Sequence, residues 1–444
     1  MTVIKRFLLP ALVLGIASGG LACSGGSWQS PDVVTIQSDK EVAALIPSWV
    51  AWLTVAEPGR PQALLLRDGD FIVAGEVFVR YRASDGRDLT ITGNHWSGKI
   101  GDKVVTVVSD EDGSAWLAAA SDSQLADLRT LGVDDVNEAT LLAIRRLAAV
   151  NPTVDLMFDD NTKLTQVMPL FHPRAVFAPE RGLDEAARNA LAGETSIDML
   201  VISADDPGRL DFLGGMPRLR TLVLDKWKTK DTGPLPAGLT GLKTLMVMEQ
   251  VDFTDLKSLA ASVPNLEALS LVDAENLKDL SGIEKMTRLN TFYFWSEEIS
   301  DLDALANLKD LRWVGLPHNL SQDRFAAFVA AHPALEIVEM MKNEGVTDLT
   351  PLASLKGLHG LILDGEFDDL DAVQKLTSLK FLGVSKRIWD KMPNQVAAAQ
   401  KALPDALVVQ VKPLCLGSGW ILLLVPVPLV AWLIRRRRGV RIAE

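Results

Sequence analysis

The sequence predicts an α/β solenoid, a curved parallel sheet with a helical or irregular convex side, preceded by a small, mainly antiparallel β domain and followed by one transmembrane helix. Three observations predict it: an apolar pattern recurring about every 23 residues, alternating strand-like segments between Asp-Gly turns before it, and an uncharged apolar run after it. With 48% hydrophobic and 23% charged residues, the chain has the composition of a folded globular protein and not of a disordered one.

The repeat carries the fold class. Aligned on Leu-x-x-Leu-x-Leu, the units are Leu219/Leu222/Leu224, Leu242/Leu245/Val247, Leu266/Leu269/Leu271, Leu289/Phe292/Phe294, Leu311/Val314/Leu316, Leu335/Val338/Met340, Leu358/Leu361/Leu363 and Leu379/Leu382/Val384. Their first anchors are 23, 24, 23, 22, 24, 23 and 21 residues apart, which chance does not produce over eight units. Weaker units flank them at Leu128/Leu131/Val133, Ile197/Leu200/Ile202 and Ala406/Val409/Val411, with strand-like segments at Val154 to Phe158 and Ala175 to Ala178. One short strand cannot bury its apolar residues alone, so the units must stack into one core and one parallel sheet. Asp211, Asp255, Asp279, Asp301, Asp348 and Asp369 recur after the strands, where a carboxylate can accept backbone N–H groups at the start of a helical turn. They stand about one unit apart, a spacing that suits caps and not a clustered calcium loop.

These units resemble the leucine-rich repeat family, and Ile299-Ser300-Asp301-Leu302 with Val346-Thr347-Asp348-Leu349 resembles its internalin type. The resemblance covers residues 190–412 and implies a fold while being nearly silent on function. The family's strand-end asparagine occurs only as Asn319 and Asn343, so no continuous asparagine ladder is expected.

Before the repeats, alternation at Phe71, Val73, Val77, Val79 and Tyr81 between Asp68-Gly69, Asp85-Gly86 and Asp112-Gly113 predicts hairpins, with Trp49, Trp52, Trp96 and Trp116 in their core and an exposed aromatic ligand site as the weaker alternative. The expected order is a signal peptide over 1–22, a β-rich domain over 24–120, degenerate repeats or a transition over 122–190 and the solenoid over 191–412. A transmembrane helix over 416–434 and a basic cytoplasmic tail over 435–444 complete it.

The two ends predict location. Lys5 and Arg6, an apolar run from Phe7 to Ile16 and small residues up to Ala22 form the three parts of an export signal. Gly20-Leu21-Ala22-Cys23 resembles a bacterial lipoprotein box, which implies lipidation of Cys23, although the family usually has leucine where Gly20 stands and a small residue where Leu21 stands. Leu416 to Ile434 is long enough to cross a bilayer, and Arg435 to Arg438 hold the following end on the cytoplasmic side. The run also resembles the terminal sorting signals of some bacterial surface proteins, with Cys415 as processing site, so retention and removal of the span both stay open. The expectation is an exported envelope protein held by the C-terminal helix, by an N-terminal lipid, or by both.

Setting aside Lys5, Arg6, the five arginines from Arg435 onward and Glu444, 38 basic and 56 acidic residues remain, a balance of -18. Such a surface repels nucleic acid and anionic lipid, which excludes nucleic acid as the expected partner. Only Cys23 and Cys415 are present, so no disulfide framework is available and burial must stabilise the interior.

No catalytic motif appears. The histidines at 95, 172, 318, 332 and 359 have no metal-ligand spacing, and the chain has no nucleophile elbow, phosphate loop or dinucleotide fingerprint. No cofactor, metal or enzymatic activity is expected. Asp110-Glu111-Asp112-Gly113 reads as a solvated hairpin turn, with cation binding as its weaker alternative.

The informative surface is the concave sheet face, to which residues between the strand anchors point. The candidates there are Met246, Met248, Tyr293, Trp295, Trp313, Ile337, Met341, Ile362 and Phe381. An exposed patch of this kind marks a protein- or peptide-binding site. Cross-strand packing under a loop or the N-terminal domain, with the repeats acting as an envelope scaffold, accounts for the same residues.

Overall fold

The computed structural model describes residues 103–411 except 129, 179–181, 203–208, 228–233, 272–273, 295, 380 and 405, together with short strands before residue 103. Residues 1–22, Cys23, Trp49, Trp52, Trp96, the expected span over 416–434 and the tail over 435–444 lie outside the described residues. Among the described residues, no helix is long and apolar enough to cross a membrane.

The early strands are β1 (Thr35–Ile36), β2 (Arg80–Arg82), β3 (Asp88–Thr90) and β4 (Ser97–Ile100). β2 and β3 pair antiparallel, and Asp85-Gly86 lies outside the described residues. The chain divides after Lys226 into two compact units.

In the first unit, β5 (Lys103–Val108) pairs antiparallel with β4 on one side and parallel with β6 (Thr130–Val133) on the other. Parallel pairing continues through β7 (Asp155–Phe158), β8 (Ala175–Ala178), β9 (Met199–Ile202) and β10 (Thr221–Trp227). Among the described residues the parallel pairing starts at β5, so residues 103–120 belong with the repeats and not with the expected β domain over 24–120. Asp112-Gly113 is not a hairpin turn. It lies in helix α1 (Glu111–Ala119), whose N-cap Asp110 is buried and accepts the Gly113 N–H at 2.8 Å. Glycine is needed there because a Cβ would stand 1.8 Å from the Val108 carbonyl oxygen. Trp116 follows into this helix, half-buried, instead of a β core.

The same cap recurs in the units whose leucine pattern is weak. Asn137, Asp160 and Asp184 accept the N–H of Thr140, Lys163 and Ala187 at 3.0, 2.9 and 2.8 Å. They start helices α3 (Glu138–Val150), α4 (Asn161–Val167) and α5 (Glu185–Ala192), while Ser121 caps the short α2 (Asp122–Ala126) with a capping box.

The second unit contains β11 (Thr244–Val251), β12 (Ala268–Leu271), β13 (Thr291–Phe294), β14 (Trp313–Leu316), β15 (Ile337–Asn343), β16 (Gly360–Gly365), β17 (Phe381–Ser385) and β18 (Leu407–Val411). Each is parallel to the next. The second anchors Leu245, Leu269, Phe292, Val314, Val338, Leu361 and Leu382 are all fully buried. At β18 the expected register is one residue out, because Val408 and not Val409 pairs with Leu382. A one-residue slip exchanges the two faces of a strand.

Five of the six recurring aspartates cap as expected. Asp255, Asp279, Asp301, Asp348 and Asp369 accept the N–H two residues on, from Lys257, Ser281, Asp303, Thr350 and Asp371, at 2.7–2.9 Å. Asp211 differs. It is itself the first residue of the 3-10 turn Asp211–Gly215, the position that Asp303 holds in its own unit. Gly282, at φ +106°, lets its turn pass over the preceding one, where a Cβ would meet the Lys257 backbone at 2.6 Å. Further links cross the units: Asn343 donates its Nδ2 to the Pro317 carbonyl at 3.4 Å while its Oδ1 accepts the local Val346 N–H at 2.8 Å, and His332 holds one ring nitrogen 2.9 Å from the Leu305 carbonyl oxygen and the other 2.8 Å from that of Phe328 in its own helix.

Hydrogen bonds from Ser281 and Thr350 hold the Asp279 and Asp348 carboxyls below their usual range. A carboxyl lowered in the fold contributes stability above its unfolded pKa of 3.8 and loses it as pH falls through the folded value. Asp348→Ala should therefore cost on the order of 0.5–1 kcal/mol at neutral pH, the lower part of the capping range because the site is exposed. Asp348→Asn should keep most of that stability while flattening the acid limb. Urea unfolding from pH 2 to 7 reads both effects.

Candidate functional site

The sheet face opposite the turns and helices carries two rows of side chains in the second unit. Pairing aligns Thr244, Ala268, Thr291, Trp313, Ile337, Gly360 and Phe381 in one row. The second row runs Met246, Ser270, Tyr293 and then, past Gly315, through Glu339, Ile362 and Gly383. The placement follows from strand alternation, since the leucine anchors occupy the other face.

Of the sequence candidates, Trp313 and Ile337 are neighbours in the first row, while Met246 and Tyr293 flank Ser270 in the second. Trp295 lies outside the described residues, as do the side chains of Met248, Met341 and Phe381. The sequence leaves an exposed patch and cross-strand packing both open for these residues. Met246, Tyr293, Trp313, Ile337 and Ile362 are all buried, with Trp313 5% and Tyr293 3% exposed.

Part of the reason lies in how the side chains pack on one another. The Tyr293 and Trp313 rings lie 6.3 Å apart at 35°. Tyr293 leans over Gly315, whose missing Cβ would stand 2.7 Å from the ring. The Trp313 indole Nε1 donates to Glu339 Oε1 at 2.8 Å, and Glu339 has no exposed surface.

Glu339 is placed on this face by strand alternation but is not among the sequence candidates for the site. The signal was available: it is the one carboxylate in the second row, between Gly315 and Ile362. A buried carboxylate is costly unless it is well compensated, so its presence on a sheet face is not explained by packing. Ser270 was passed over too. It is 5% exposed and its Oγ has no hydrogen-bond partner, and the same holds for Thr244 Oγ1.

A polar rim adjoins these rows. Lys342, at φ +49°, sits at a register shift in β15 and donates its N–H to Asp364 Oδ2 at 3.4 Å. Arg387 reaches Asp364 at 3.8 Å and Glu366 at 3.3 Å. Burial pushes the pKa of His318 down and the Lys342 charge adds to this, against the opposing charges of Glu297, Glu344 and Asp364. Hydrogen bonding to Lys391 and the nearby Arg387 charge hold Glu366 below its usual range. Among the described residues, no group of three His, Cys, Asp or Glu side chains is placed to hold a metal ion.

Leucine-anchored parallel strands, each followed by a capped turn or helix at a period near 23 residues, define a leucine-rich repeat protein, and its units resemble those of internalins. No family model and no curated protein matches the chain in sequence. Solved structures similar to it include an internalin from Listeria monocytogenes, 14% identical over 70% of this chain and 92% of that one, with a TM-score of 0.40. A leucine-rich repeat protein of Leptospira interrogans is 16% identical over 64% of this chain and 91% of that one, at a TM-score of 0.33. The TLR13–ssRNA13 complex is 16% identical over 61% of this chain and 48% of that one, at 0.41. The repeat geometry, and not these alignments, defines the fold.

Two expected outcomes follow. Trp313→Ala should lower stability by about 3–5 kcal/mol, the range for a buried aromatic, whereas Trp313→Phe keeps most of the volume and should cost about 1–3 kcal/mol, chiefly through the donor lost to Glu339. Chemical denaturation measures both. Because the His318 pKa is lowered in the fold, its contribution is present above the ordinary 6.5 and lost as pH falls through that value toward the folded one. His318→Gln should flatten the decline of the thermal midpoint below pH 6.5, and an unchanged profile would count against this coupling.

Proposed function

We propose that this chain is a leucine-rich repeat recognition protein of the cell envelope, exported and membrane-anchored, which binds a protein or peptide on the sheet face of its second unit. The observation that carries this reading is Glu339, a carboxylate buried on that face and held by Trp313 Nε1. Stability alone favours an apolar residue at such a position, as Ile362 shows in the adjoining strand. A directed charge between aromatic rings suits recognition instead, since aromatic anchors at desolvated centres carry much of an interface's energy. The acidic balance of -18 between the two ends favours a protein ligand over a nucleic acid.

The second reading, a scaffold of the envelope without a discrete ligand, is favoured by the low exposure of Tyr293, Trp313, Ile337 and Ile362. Affinity capture with residues 24–412 discriminates the two. Recognition predicts a specific partner whose retention falls about tenfold or more with Glu339→Gln, a change of nearly equal volume. The scaffold reading predicts that stability changes and no partner is lost.

Anchoring rests on the sequence of the two ends. Truncation after Lys412 should release the protein if residues 416–434 are its sole anchor. Continued membrane association that ends with Cys23→Ser would assign the remaining hold to an N-terminal lipid, and release by Cys23→Ser alone would contradict an anchoring span.

A further inference from the structure

We propose that residues 42–56 of this chain dock on the sheet face of the second unit, so that the face is occupied in the free protein and a partner must displace them to bind there. The displacement rests on the recognition reading above; the docking stands without it.

The face is more completely buried than its own side chains can make it. Cross-strand neighbours shield the flanks of a side chain, but its tip points away from the sheet and stays open unless something lies over it. A large ring can lean over a smaller neighbour, as Tyr293 leans over Gly315. That does not account for Thr244, Ala268, Ser270 and Thr291, small side chains on three neighbouring strands. They are only 4–6% exposed, close to the 3% and 5% of Tyr293 and Trp313. The turns and helices described in this unit belong to the opposite face, with the leucine anchors. A parallel sheet is built with both faces covered, and the second cover here has to come from elsewhere in the chain.

One segment fits. The second compact unit joins Ser38–Arg60, far from the repeats in sequence, to Trp227–Ser418, whereas residues 1–37, 61–226 and 419–444 group with the first unit. Within that segment Val42 to Ala56 is a run of 15 residues without a charge, flanked by Asp39-Lys40-Glu41 and by Glu57. Leu45, Ile46, Trp49, Trp52 and Leu53 give it the apolar and aromatic content that the face itself presents. Left in water, such a run and such a face would each be an apolar patch of the kind that folded proteins cover. The reach also matches: β11 to β16 spans five strand spacings, about 24 Å, and the run covers about 22 Å as a helix or about 50 Å extended. Trp49 and Trp52 are thereby assigned to the sheet face, in place of the β-domain core expected from alternation. Because the segment is part of the same chain, it competes with any partner at a high effective concentration.

The test replaces methionine by photo-methionine, a nearly isosteric diazirine, in the purified full chain carrying Ile337→Met, which places probes at positions 246 and 337 of the face. An equal mixture of isotopically labelled and unlabelled chains is irradiated, and the bridged peptides are mapped by mass spectrometry. Docking predicts bridges from both positions to residues 42–56 of the same chain. Trp49→Ala with Trp52→Ala should reduce them about tenfold or more. A synthetic peptide of residues 38–60 should then bind this double variant about tenfold or more tightly than it binds the unaltered chain, whose face is filled. Bridges to another segment or to a second copy, or equal peptide binding by the two forms, overturn the docking. Should the double variant fail to fold, the bridges in the chain that keeps both tryptophans decide alone. Bridges to residues 42–56 with no partner captured by the full chain, with or without the two replacements, support the docking and overturn recognition on this face. A captured partner together with bridges elsewhere overturns the docking and leaves recognition standing.

Discussion

Each strand in this protein is too short to bury its own anchors, and the step by which one unit is hydrogen-bonded to the next determines everything built on it. The carbonyl of the residue ahead of a strand receives two N–H groups from the following unit. Glu267 accepts from Asn290 and Thr291, Asn290 from Arg312 and Trp313, and Arg312 from Glu336 and Ile337, at 2.7–3.1 Å. The same bonds link Arg174 to Asp198 and Met199 in the first unit. Register is thereby set at the start of every strand, and a residue's row on the sheet face follows from it. Side chains at this step reinforce it with opposite charges: Lys243 with Glu267, Arg312 with Glu336, and Asp198 between Arg174 and Arg218. The arginine of the Arg312–Glu336 pair is exposed, and such a pair adds little energy singly, whereas Asp198 is buried between its two arginines.

With register set, the two faces have different tasks. One buries an unbroken line of leucine, phenylalanine and valine, stacked as closely as Phe292 on Phe294 at 4.9 Å. Turns that return the chain are closed by polar side chains, by aspartates two residues before the bonded N–H in the second unit and by aspartate, asparagine and serine helix N-caps in the first. The opposite face is free of that packing duty. There the sequence varies from strand to strand, and a tyrosine, a glycine, a tryptophan and a glutamate come together only because their units are stacked.

The period was readable because leucine, valine and phenylalanine at fixed spacing have few other uses, and the strands expected from it at Leu222, Leu245, Leu269 and their successors are all present. The first unit was less readable because its strands, such as Ala175–Ala178, lack the leucine signature. Its better signal was the polar cap after each strand, Asp110, Asn137, Asp160 and Asp184, and Asp112-Gly113 misled because the same dipeptide serves a hairpin or a helix start. At the candidate site, sequence alternation placed Tyr293 and Trp313 on the right face. It did not show that their rings are buried, nor that Trp313 points its N–H at Glu339, since both depend on side-chain packing across strands that only the register and Gly315 bring about.

The central claim is that the Trp313–Glu339 pair is retained for recognition and not for stability. The double replacement Trp313→Phe with Glu339→Met tests it most directly, because it removes the buried charge together with the indole N–H bonded to it. Thermal unfolding and partner binding are measured on the same preparation. The account predicts a midpoint equal to or above that of the unaltered protein, with partner binding lost. A clearly lowered midpoint with partner binding intact would contradict it.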